Sequence, residues 1–307
     1  MQIYLPIADL PVNVFLVLGM GVAVGFVSGM FGIGGGFLMT PLLIFIGVSP
    51  AVAVASVTGH IAASSFSGAI SYWRRRTIDV ALAMMLLSAG FVGTATGVWL
   101  FTELRAVDQL DLVIGLAYVT LLTTVGAAMI YESLRAVMRV YRGAPPLLRR
   151  PGSHTWIHGL PFKLRFKRSK IYVSAIPVWA IGFFIGFIGA IMGIGGAFIL
   201  VPMLIYFLRA PTATVIGTSM VLTLVTMASA TIMHAATNHL VDAVLALILM
   251  AGGVMGAQFG ARTGQKMRAE RLRLLLGLLV FAVGLRFAYE LVVQPDDLYS
   301  IRQVRSG

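Results

Sequence analysis

The amino-acid sequence predicts an all-α membrane protein that contains two inverted-topology repeats of about five segments each. The first observation is composition: of 307 residues, 59% are hydrophobic and only 11% are charged, whereas soluble domains carry about 25% charged residues. The second observation is that the two halves of the chain resemble each other. The third is that Lys and Arg concentrate in a few short loops, which indicates how spans are oriented in a membrane.

The resemblance between the halves centres on a glycine-rich stretch. Residues 30–44 read MFGIGGGFLMTPLLI and residues 191–205 read IMGIGGAFILVPMLI. A shift of 161 residues aligns ten identical residues between positions 25 and 44 and their counterparts. After a two-residue slip, Asp79 also aligns with Asp242. Matches of this density indicate an internal duplication.

Each half contains five apolar segments. They cover about 12–31, 36–48, 50–72, 79–101 and 110–138 in the first half, and about 172–191, 196–208, 212–236, 242–262 and 272–293 in the second. A full span needs roughly 20 residues, so the second segment of each half is too short. Both short segments follow glycine runs, which predicts broken or short helices at Gly-rich turns. Irregular backbone at membrane depth is tolerated only when it is buried in protein or lines a cavity.

A basic segment separates the two halves. Residues 139–171 hold many Lys and Arg side chains and no acidic one, and basic short loops stay in the cytoplasm. We therefore predict a first transmembrane repeat over 1–138, a basic cytoplasmic linker over 139–171, and a second repeat with a short C-terminal tail over 172–307. Within the linker, residues 162–167 alternate apolar and basic side chains, which indicates a short strand or an interfacial segment.

The remaining basic loops predict that the second repeat is inverted. Residues 73–76 form a basic turn in the first half, whereas the basic turn of the second half, 262–271, comes one loop later. An odd number of segments per half turns the second copy over, which explains the displacement. Both termini are therefore predicted outside, in a multi-pass protein of the cell membrane, the bacterial inner membrane.

Several classes of function are disfavoured by the residues present. The chain contains no cysteine, so it has no disulfides or thiolate metal sites. It has no metal-spaced His cluster, His-Glu-x-x-His run or Gly-x-Ser-x-Gly elbow, so we do not expect an enzyme. No cofactor, metal or nucleic acid is expected. The expected partners are a small anionic substrate and the lipid bilayer, and a homodimer is left open.

The glycine runs are the strongest candidates for a binding site. Inverted repeats with discontinuous helices are typical of secondary transporters, whose substrates bind near the midplane where the repeats meet. A glycine run before a short helix frees backbone N–H groups at the positive end of that helix, which favours an anion. The alternative is a tight turn without a ligand. The candidate substrate-binding glycines are Gly32, Gly34, Gly35, Gly36, Gly193, Gly195 and Gly196.

Other glycines recur at four-residue spacing, which is typical of close helix packing in membranes. These are Gly21, Gly25 and Gly29, Gly93 and Gly97, Gly182 and Gly186, and Gly252, Gly256 and Gly260.

Polar residues within the spans are further candidates, because burying them in lipid is costly. The candidate substrate-binding side chains are Thr58, His60, Thr218, Ser219 and Gln258. A histidine could assist anion binding or carry a proton, or it could be satisfied by a neighbouring helix. The hydroxyls could donate to an oxyanion or bond to their own helix. His234 is predicted to be interfacial.

Acidic residues are predicted to be structural. Asp79 and Asp242 each begin a span, where a carboxylate caps a helix N-terminus. No span carries a convincing mid-membrane carboxylate, so the sequence leaves the coupling ion open.

A set of short motifs resembles the sulfite exporter TauE/SafE family. The first half carries the Gly-Ile-Gly-Gly-Gly-Phe turn of residues 32–37, Pro41 four residues after the phenylalanine, and the Pro-Ala-Val-Ala start of a helix at 50–53. The second half repeats the turn and adds Gly-Thr-Ser at 217–219. In the first half Ser-Val-Thr at 56–58 stands where Thr-Ser is expected. The resemblance covers roughly 12–138 and 172–293.

The resemblance implies a multipass secondary transporter that works by alternating access. It implies a small sulfur-containing anion as substrate, sulfite or an organosulfonate such as sulfoacetate, and export as the direction. The alternative is an uptake permease for sulfate or thiosulfate, or for another small carboxylate or anion.

Overall fold

The computed structural model of the protein describes residues 2–31, 35–74, 76–141, 162–166, 169, 171–206, 212–264 and 269–292. Within these ranges the chain forms ten α-helices, one for each predicted apolar segment. They are α1 (Val14–Phe31), α2 (Gly36–Phe45), α3 (Pro50–Arg74), α4 (Val80–Ala106), α5 (Leu110–Tyr141), α6 (Ala175–Met192), α7 (Ala197–Tyr206), α8 (Thr212–Met233), α9 (Ala243–Gly264) and α10 (Ala269–Val292). A π-helical turn, His234–Asn238, continues α8.

Five stretches of helix within the described residues are long and apolar enough to cross a membrane. They are Val80–Ala106, Leu110–Arg135, Ala175–Met192, Thr214–Asn238 and Ala243–Gly260. By contrast, α2 and α7 have ten residues each. At 1.5 Å per residue each is about 15 Å long, which is about half of the hydrocarbon thickness. The prediction of short helices after the glycine runs is therefore confirmed.

The prediction of an all-α chain was wrong in one respect, because two short β-hairpins precede the helices of the two halves. Strand β1 (Gln2–Leu5) pairs antiparallel with β2 (Leu10–Asn13), and β3 (Lys163–Phe166) pairs antiparallel with β4 (Ile171–Ser174). Strands of four residues are too short for an alternating pattern to be distinguished reliably from a loop. The sequence left a short strand or an interfacial segment as alternatives for residues 162–167, and the structure has the strand β3 there.

The hairpins extend the duplication. The bounds of β3, β4, α6 and α7 each lie 161 residues after those of β1, β2, α1 and α2. Residues 163–171, which the sequence places in the linker, are thus the counterpart of the N-terminal hairpin. Residues 142–161 of the predicted linker lie outside the described residues.

Each half packs mainly against the other half. The most extensive helix contacts are α1 with α9, α4 with α6, α5 with α10, and α3 with α8, followed by α3 with α9 and α4 with α8. Each helix of the first half has a counterpart five helices later, so that α1 corresponds to α6 and α4 to α9. When every helix is replaced by its counterpart, the same six pairs result. The two halves therefore make equivalent contacts with each other. That one half is inverted in the membrane stays a prediction.

The α1–α9 and α4–α6 contacts are backbone contacts at glycine. A methyl group at Gly25 of α1 would lie 2.7 Å from Cα of Gly253 in α9. A methyl group at Gly182 of α6 would lie 2.6 Å from the carbonyl oxygen of Leu86 in α4. Only glycine permits such an approach, and small residues are how membrane helices pack closely. The glycines predicted to pack helices do so.

Asp79 connects the two halves at the start of α4. Its Oδ1 accepts a hydrogen bond from the Leu82 N–H at 3.3 Å, which caps α4 as predicted. Its Oδ2 accepts hydrogen bonds from the N–H and the hydroxyl of Ser169, both at 2.8 Å. Ser169 lies in the turn of the β3–β4 hairpin. The carboxylate therefore holds the hairpin of the second half on a helix of the first.

Asp242 makes the reciprocal connection at the start of α9. Its Oδ1 accepts a hydrogen bond from the Leu245 N–H at 3.0 Å, again capping the helix. Its Oδ2 accepts from the N–H groups of Ile7 and Ala8, at 3.0 and 3.4 Å, in the turn of the β1–β2 hairpin. We call these two sets of bonds the Asp79 clasp and the Asp242 clasp. Each is buried and joins one half to the other.

Replacement of Gly25 by Ala is expected to lower the free energy of unfolding by about 1–3 kcal/mol, the usual cost of overpacking. The added methyl would overlap the Gly253 backbone and separate α1 from α9. The measurement is thermal unfolding of the detergent-purified protein. Gly19→Ala is the matched control on the same helix, because no atom in the described part of the chain lies within 4 Å of a methyl there. Equal unfolding temperatures for the two variants would contradict the glycine contact.

Replacement of Asp242 by Ser separates the two roles of this carboxylate. Serine is also a good N-cap, so α9 keeps its capping bond, but its single oxygen cannot also reach Ile7 and Ala8. We expect faster amide hydrogen exchange of the β1–β2 hairpin turn while the exchange of α9 stays unchanged. Asp242→Ala should lose both the capping bond and the bonds to the hairpin, which lowers the free energy of unfolding by about 1–3 kcal/mol. Unchanged protection of the hairpin in Asp242→Ser would show that the clasp does not hold it.

Candidate functional site

The two glycine turns meet inside the protein. The described part of the first turn is Gly35 and Gly36, and the second turn is Gly193–Gly196, between α6 and α7. A methyl group at Gly36 would lie 2.6 Å from the carbonyl oxygen of Gly193. All of these residues are buried. The duplicated feature of the sequence therefore forms one buried centre, to which both halves contribute.

The second turn depends on glycine conformation. Gly195 and Gly196 have φ of 78° and 66°, in the left-handed region that costs other residues roughly 1–2 kcal/mol each. There is also little space for a side chain, since a methyl group at Gly195 would lie 2.7 Å from Cγ2 of Ile61. Both conformation and space exclude larger residues here.

Two stacked phenylalanine rings lie where the two glycine turns meet. Phe37 and Phe198 follow the two turns at equivalent positions, and their rings stack with centroids 4.6 Å apart and an interplanar angle of 14°. Both side chains are buried. The first turns of α2 and α7 are thereby fixed against each other across the boundary between the halves.

Three hydroxyl groups hold the carbonyl groups of the second turn. The Tyr118 hydroxyl donates to the Met192 carbonyl at 2.5 Å, and the Thr223 hydroxyl donates to the Gly195 carbonyl at 2.8 Å. The remaining hydroxyl belongs to Thr40, which donates to the Gly193 carbonyl at 3.4 Å. These donors come from α5, α8 and α2, so three helices position this turn.

Fixing the carbonyl groups also directs the N–H groups. In a trans peptide, the C=O of one residue and the N–H of the next point in opposite directions, and the described chain contains no cis peptide. The N–H of Ile194 therefore points away from the hydroxyl that binds the Gly193 carbonyl. The N–H of Gly196 likewise points away from Thr223. Successive N–H groups in such a turn form a concave anion-binding arrangement.

The polar side chains predicted to bind substrate are mostly engaged by the protein. The Thr58 hydroxyl donates to the Ala55 carbonyl at 2.6 Å and lies 2.9 Å from the hydroxyl of Thr231. Ser219 donates to the Ile216 carbonyl of its own helix at 2.9 Å.

Thr218 supports the Asp79 clasp. Its hydroxyl accepts a hydrogen bond from the Asp79 N–H at 3.3 Å. In the other half, Ser56 of α3 accepts from the Asp242 N–H at 3.0 Å in the same way. The structure thus gives Thr218 a structural partner at the end of the bundle.

His60 differs from the hydroxyl residues. It is buried in α3, and its Nδ1 lies 2.7 Å from the Leu249 carbonyl of α9. Its Nε2 is buried without a hydrogen-bond partner among the described residues. The next residue, Ile61, contacts both glycine turns, at Gly36 and Gly195.

The other predicted residues do not join this centre in the described structure. Gln258 lies in α9 with an exposed side chain, so its role in the transport path stays a prediction. Gly32 and Gly34 lie outside the described residues. His234, predicted at the interface, is buried instead, and its Nε2 lies 3.1 Å from the Ala190 carbonyl.

The chain also matches the model of a known protein family. The family model described as sulfite exporter TauE/SafE matches residues 17–287. This range contains eight of the ten helices completely and omits only the start of α1 and the end of α10. The chain belongs to the sulfite exporter TauE/SafE family. It is therefore a membrane transporter by family membership.

Two bacterial relatives are similar to this chain over nearly their whole length. A probable membrane transporter protein of Xylella fastidiosa (strain 9a5c) is 29% identical over 283 residues, which are 89% of this chain and 94% of that protein. The probable membrane transporter protein YunE of Bacillus subtilis is 21% identical over 279 residues, 88% of this chain and 96% of that one. The sulfite exporter TauE/SafE family protein 3 of Arabidopsis thaliana is 34% identical, but over only 77 residues, 25% of this chain and 16% of that protein. No solved structure matches the chain.

The sequence did not indicate the hydroxyl donors of this family member. Thr40, Tyr118 and Thr223 lie within apolar segments, where a hydroxyl usually bonds to its own helix. The available signal was the presence of polar atoms in membrane spans, but it does not distinguish these three from the other Thr and Tyr residues.

Replacement of Thr223 by Val should lower stability by about 1–3 kcal/mol, because it leaves the buried Gly195 carbonyl without a partner. The measurement is thermal unfolding in detergent. Thr226→Val is the matched control, since Thr226 is buried one turn later on α8 and bonds to the Leu222 carbonyl of its own helix at 2.8 Å. If Thr226→Val loses as much stability as Thr223→Val, the bond between Thr223 and the Gly195 carbonyl does not contribute more than an ordinary bond within the helix.

Proposed function

We propose that the protein exports a small sulfur-containing anion, sulfite or an organosulfonate such as sulfoacetate, across the bacterial inner membrane. It works by alternating access between two inverted repeats, and its termini lie outside. The substrate oxygens are bound by backbone N–H groups of the glycine turns. The candidate residues Gly35, Gly36, Gly193, Gly195 and Gly196 provide that backbone. Gly32 and Gly34, which lie outside the described residues, are further candidates from the sequence.

One observation carries this proposal: hydroxyl groups bind the carbonyl groups of the second glycine turn. With the Gly193 and Gly195 carbonyls bound to Thr40 and Thr223, the Ile194 and Gly196 N–H groups are oriented toward the other side of the turn. They stand next to the positive end of α7, which favours an anion.

The charge of the surrounding helices supports an anion. Helices α1, α2, α6, α7 and α8 contain no Asp, Glu, Lys, Arg or His. Peptide dipoles are therefore the main electrostatic feature near the two turns. A bound anion meets no opposing carboxylate from these helices.

The reciprocal contacts between the two halves support alternating access. Secondary transporters move one repeat against the other around a fixed site, and here the glycine turns lie where the halves meet. The two clasps lie at opposite ends of α4. Asp79 begins that helix, while Thr102 and Arg105 near its other end bond to Asn238, close to Asp242. A connection between the halves is thus present at each end of the bundle.

Export agrees with the energetics of a membrane potential. Moving one negative charge out of a cell whose interior is negative is favoured by roughly 2.3 kcal/mol per 100 mV. Uptake of sulfate or thiosulfate would have to work against this term.

A ligand panel tests the proposed substrate class. The detergent-purified protein is heated with sulfite, sulfoacetate, taurine, sulfate, thiosulfate, acetate or chloride. A ligand at 100 times its Kd stabilises the folded state by about 2.7 kcal/mol, so we expect sulfite or sulfoacetate to raise the unfolding temperature. A shift with sulfate, thiosulfate or acetate alone would favour the alternative uptake permease. Counterflow in proteoliposomes of known orientation then gives the direction.

Replacement of Gly195 by Ala tests the proposed site. The left-handed φ of Gly195 and its contact with Ile61 both oppose a side chain, so the turn must change shape. We expect the shift caused by the active anion to disappear while the ligand-free variant still unfolds cooperatively. Gly19→Ala, on the exposed side of α1, should retain the shift. Normal binding by Gly195→Ala would contradict the glycine-turn site.

A further inference from the structure

His60 is a buried histidine that has one free ring nitrogen. It lies in α3, and its ring packs on α9, where a methyl group at Gly253 would lie 2.5 Å from Nδ1. Its other nitrogen, Nε2, is buried and has no hydrogen-bond partner among the described residues. Buried polar atoms are nearly always hydrogen-bonded, so an exception calls for a physical explanation.

The contact with Leu249 determines which nitrogen carries the proton. A carbonyl oxygen can only accept, and it lies 2.7 Å from Nδ1, so Nδ1 must be the N–H donor. In a neutral imidazole, the other nitrogen is then an unprotonated acceptor. Nε2 therefore carries a lone pair, which would repel the oxygen of an anion.

The other histidine buried in a span provides a comparison. The Nε2 of His234 lies 3.1 Å from the Ala190 carbonyl, and its Nδ1 lies 3.3 Å from the side-chain nitrogen of Asn238. Both nitrogens of His234 are engaged. The free nitrogen of His60 is therefore not a general consequence of burying a histidine in this protein.

In the helices around His60, the described acidic side chains lie at helix ends. Asp242, which precedes α9, already accepts hydrogen bonds from Leu245, Ile7 and Ala8. Helices α1, α2, α6 and α8 contain no Asp, Glu, Lys or Arg, and α9 contains only Arg262, in its last turn. His234 follows α8. In the described first part of α5, Asp111 lies in the first turn and Tyr118 bonds to Met192. An imidazolium at His60 would thus lack a contacting counter-ion among the described residues, and an unpaired buried charge is costly.

His60 lies close to the glycine turns. Gly253, on which its ring packs, contacts Gly25 of α1. One turn further along α1, the Cβ of Ser28 lies 2.8 Å from the position of a methyl group at Gly35. The first turn and the part of α9 on which His60 packs therefore contact adjacent parts of α1. Ile61, the residue after His60, lies against both turns directly.

We propose that His60 couples transport to protons: each anion binds together with one proton, which occupies Nε2 and crosses the membrane with the anion. This inference rests on the anion transport proposed above. The proton converts Nε2 from an acceptor into a donor toward the anion, and the anion supplies the counter-charge that the protein lacks. The proton enters from the solution on the loading side and leaves to the solution on the release side.

The charge balance follows from this arrangement. A monovalent sulfonate and one proton cross as a neutral pair. A divalent anion and one proton cross with a net single negative charge, whose outward movement the membrane potential still favours. Loss of the anion alone would leave an unpaired imidazolium in the buried site, so the proton leaves with the anion.

Calorimetry tests this coupling directly. Sulfoacetate or sulfite, whichever binds, is titrated into purified protein in two buffers of different ionisation enthalpy, which gives the number of protons taken up. We expect one more proton per anion in the wild-type protein than in His60→Asn. For sulfoacetate, which stays ionised around neutral pH, wild-type affinity should fall about tenfold for each unit that the pH rises.

The variant keeps the structural bond of the histidine. The amide N–H of an Asn side chain lies near the place of Nδ1 and can still donate to Leu249, but it has no titratable nitrogen. Affinity of His60→Asn should be lower than wild type at low pH and independent of pH. The controls are His234→Asn, whose native nitrogens are both engaged, and His239→Asn, whose native side chain is exposed. Both should keep the wild-type proton uptake.

The outcomes separate the two proposals. If an anion binds to the wild-type protein without proton uptake, or if His60→Asn still takes up the proton, the coupling by His60 is refuted and the transport function stands. If none of the anions binds to the folded wild-type protein at any pH, the proposed substrate class fails, and the coupling fails with it.

Discussion

The close approach of helix backbones at glycine is the constraint on which the rest of this structure depends. In a bilayer, lipid is as apolar as leucine, so helices associate through packing and hydrogen bonds rather than through exclusion of water. The contacts of α1 with α9 and of α4 with α6 put the N-terminal helix of each half against a helix of the other. Because these crossings are fixed at the backbone, the glycine turns that follow α1 and α6 are brought to a common centre.

At that centre, side chains and backbone have different tasks. The hydroxyls of Thr40, Tyr118 and Thr223 bind carbonyl groups and so determine the shape of the second turn. The peptide N–H groups on its other face are the ones that we propose bind the anion. His60 is the exception: its Nδ1 bonds to the Leu249 carbonyl of the scaffold, while its Nε2 has no hydrogen-bond partner in the described part of the chain. A site of this kind is selective through geometry and dipoles rather than through fixed charge.

The sequence was informative where a feature is local or repeated. The duplication, the short helices α2 and α7, the packing glycines and the helix-capping role of Asp79 and Asp242 all follow from spacing and composition. Contacts between the halves could not be predicted in this way. Thr218 looked like a substrate ligand because nothing in its own segment shows that it meets the Asp79 N–H. The hairpin strands are too short to give a periodic signal, and their partners are distant in the chain.

The reciprocal clasps also set an order of events during biosynthesis. Ser169 follows Asp79 by 90 residues, whereas Ile7 precedes Asp242 by 235. Both partners of the Asp79 clasp have therefore been translated by about the middle of the chain. The partner of the N-terminal hairpin, Asp242, is translated only after most of the protein has been made. A prematurely ended chain lacks that carboxylate altogether. Its first hairpin then lacks the hydrogen bonds that hold it on α9 in the finished protein.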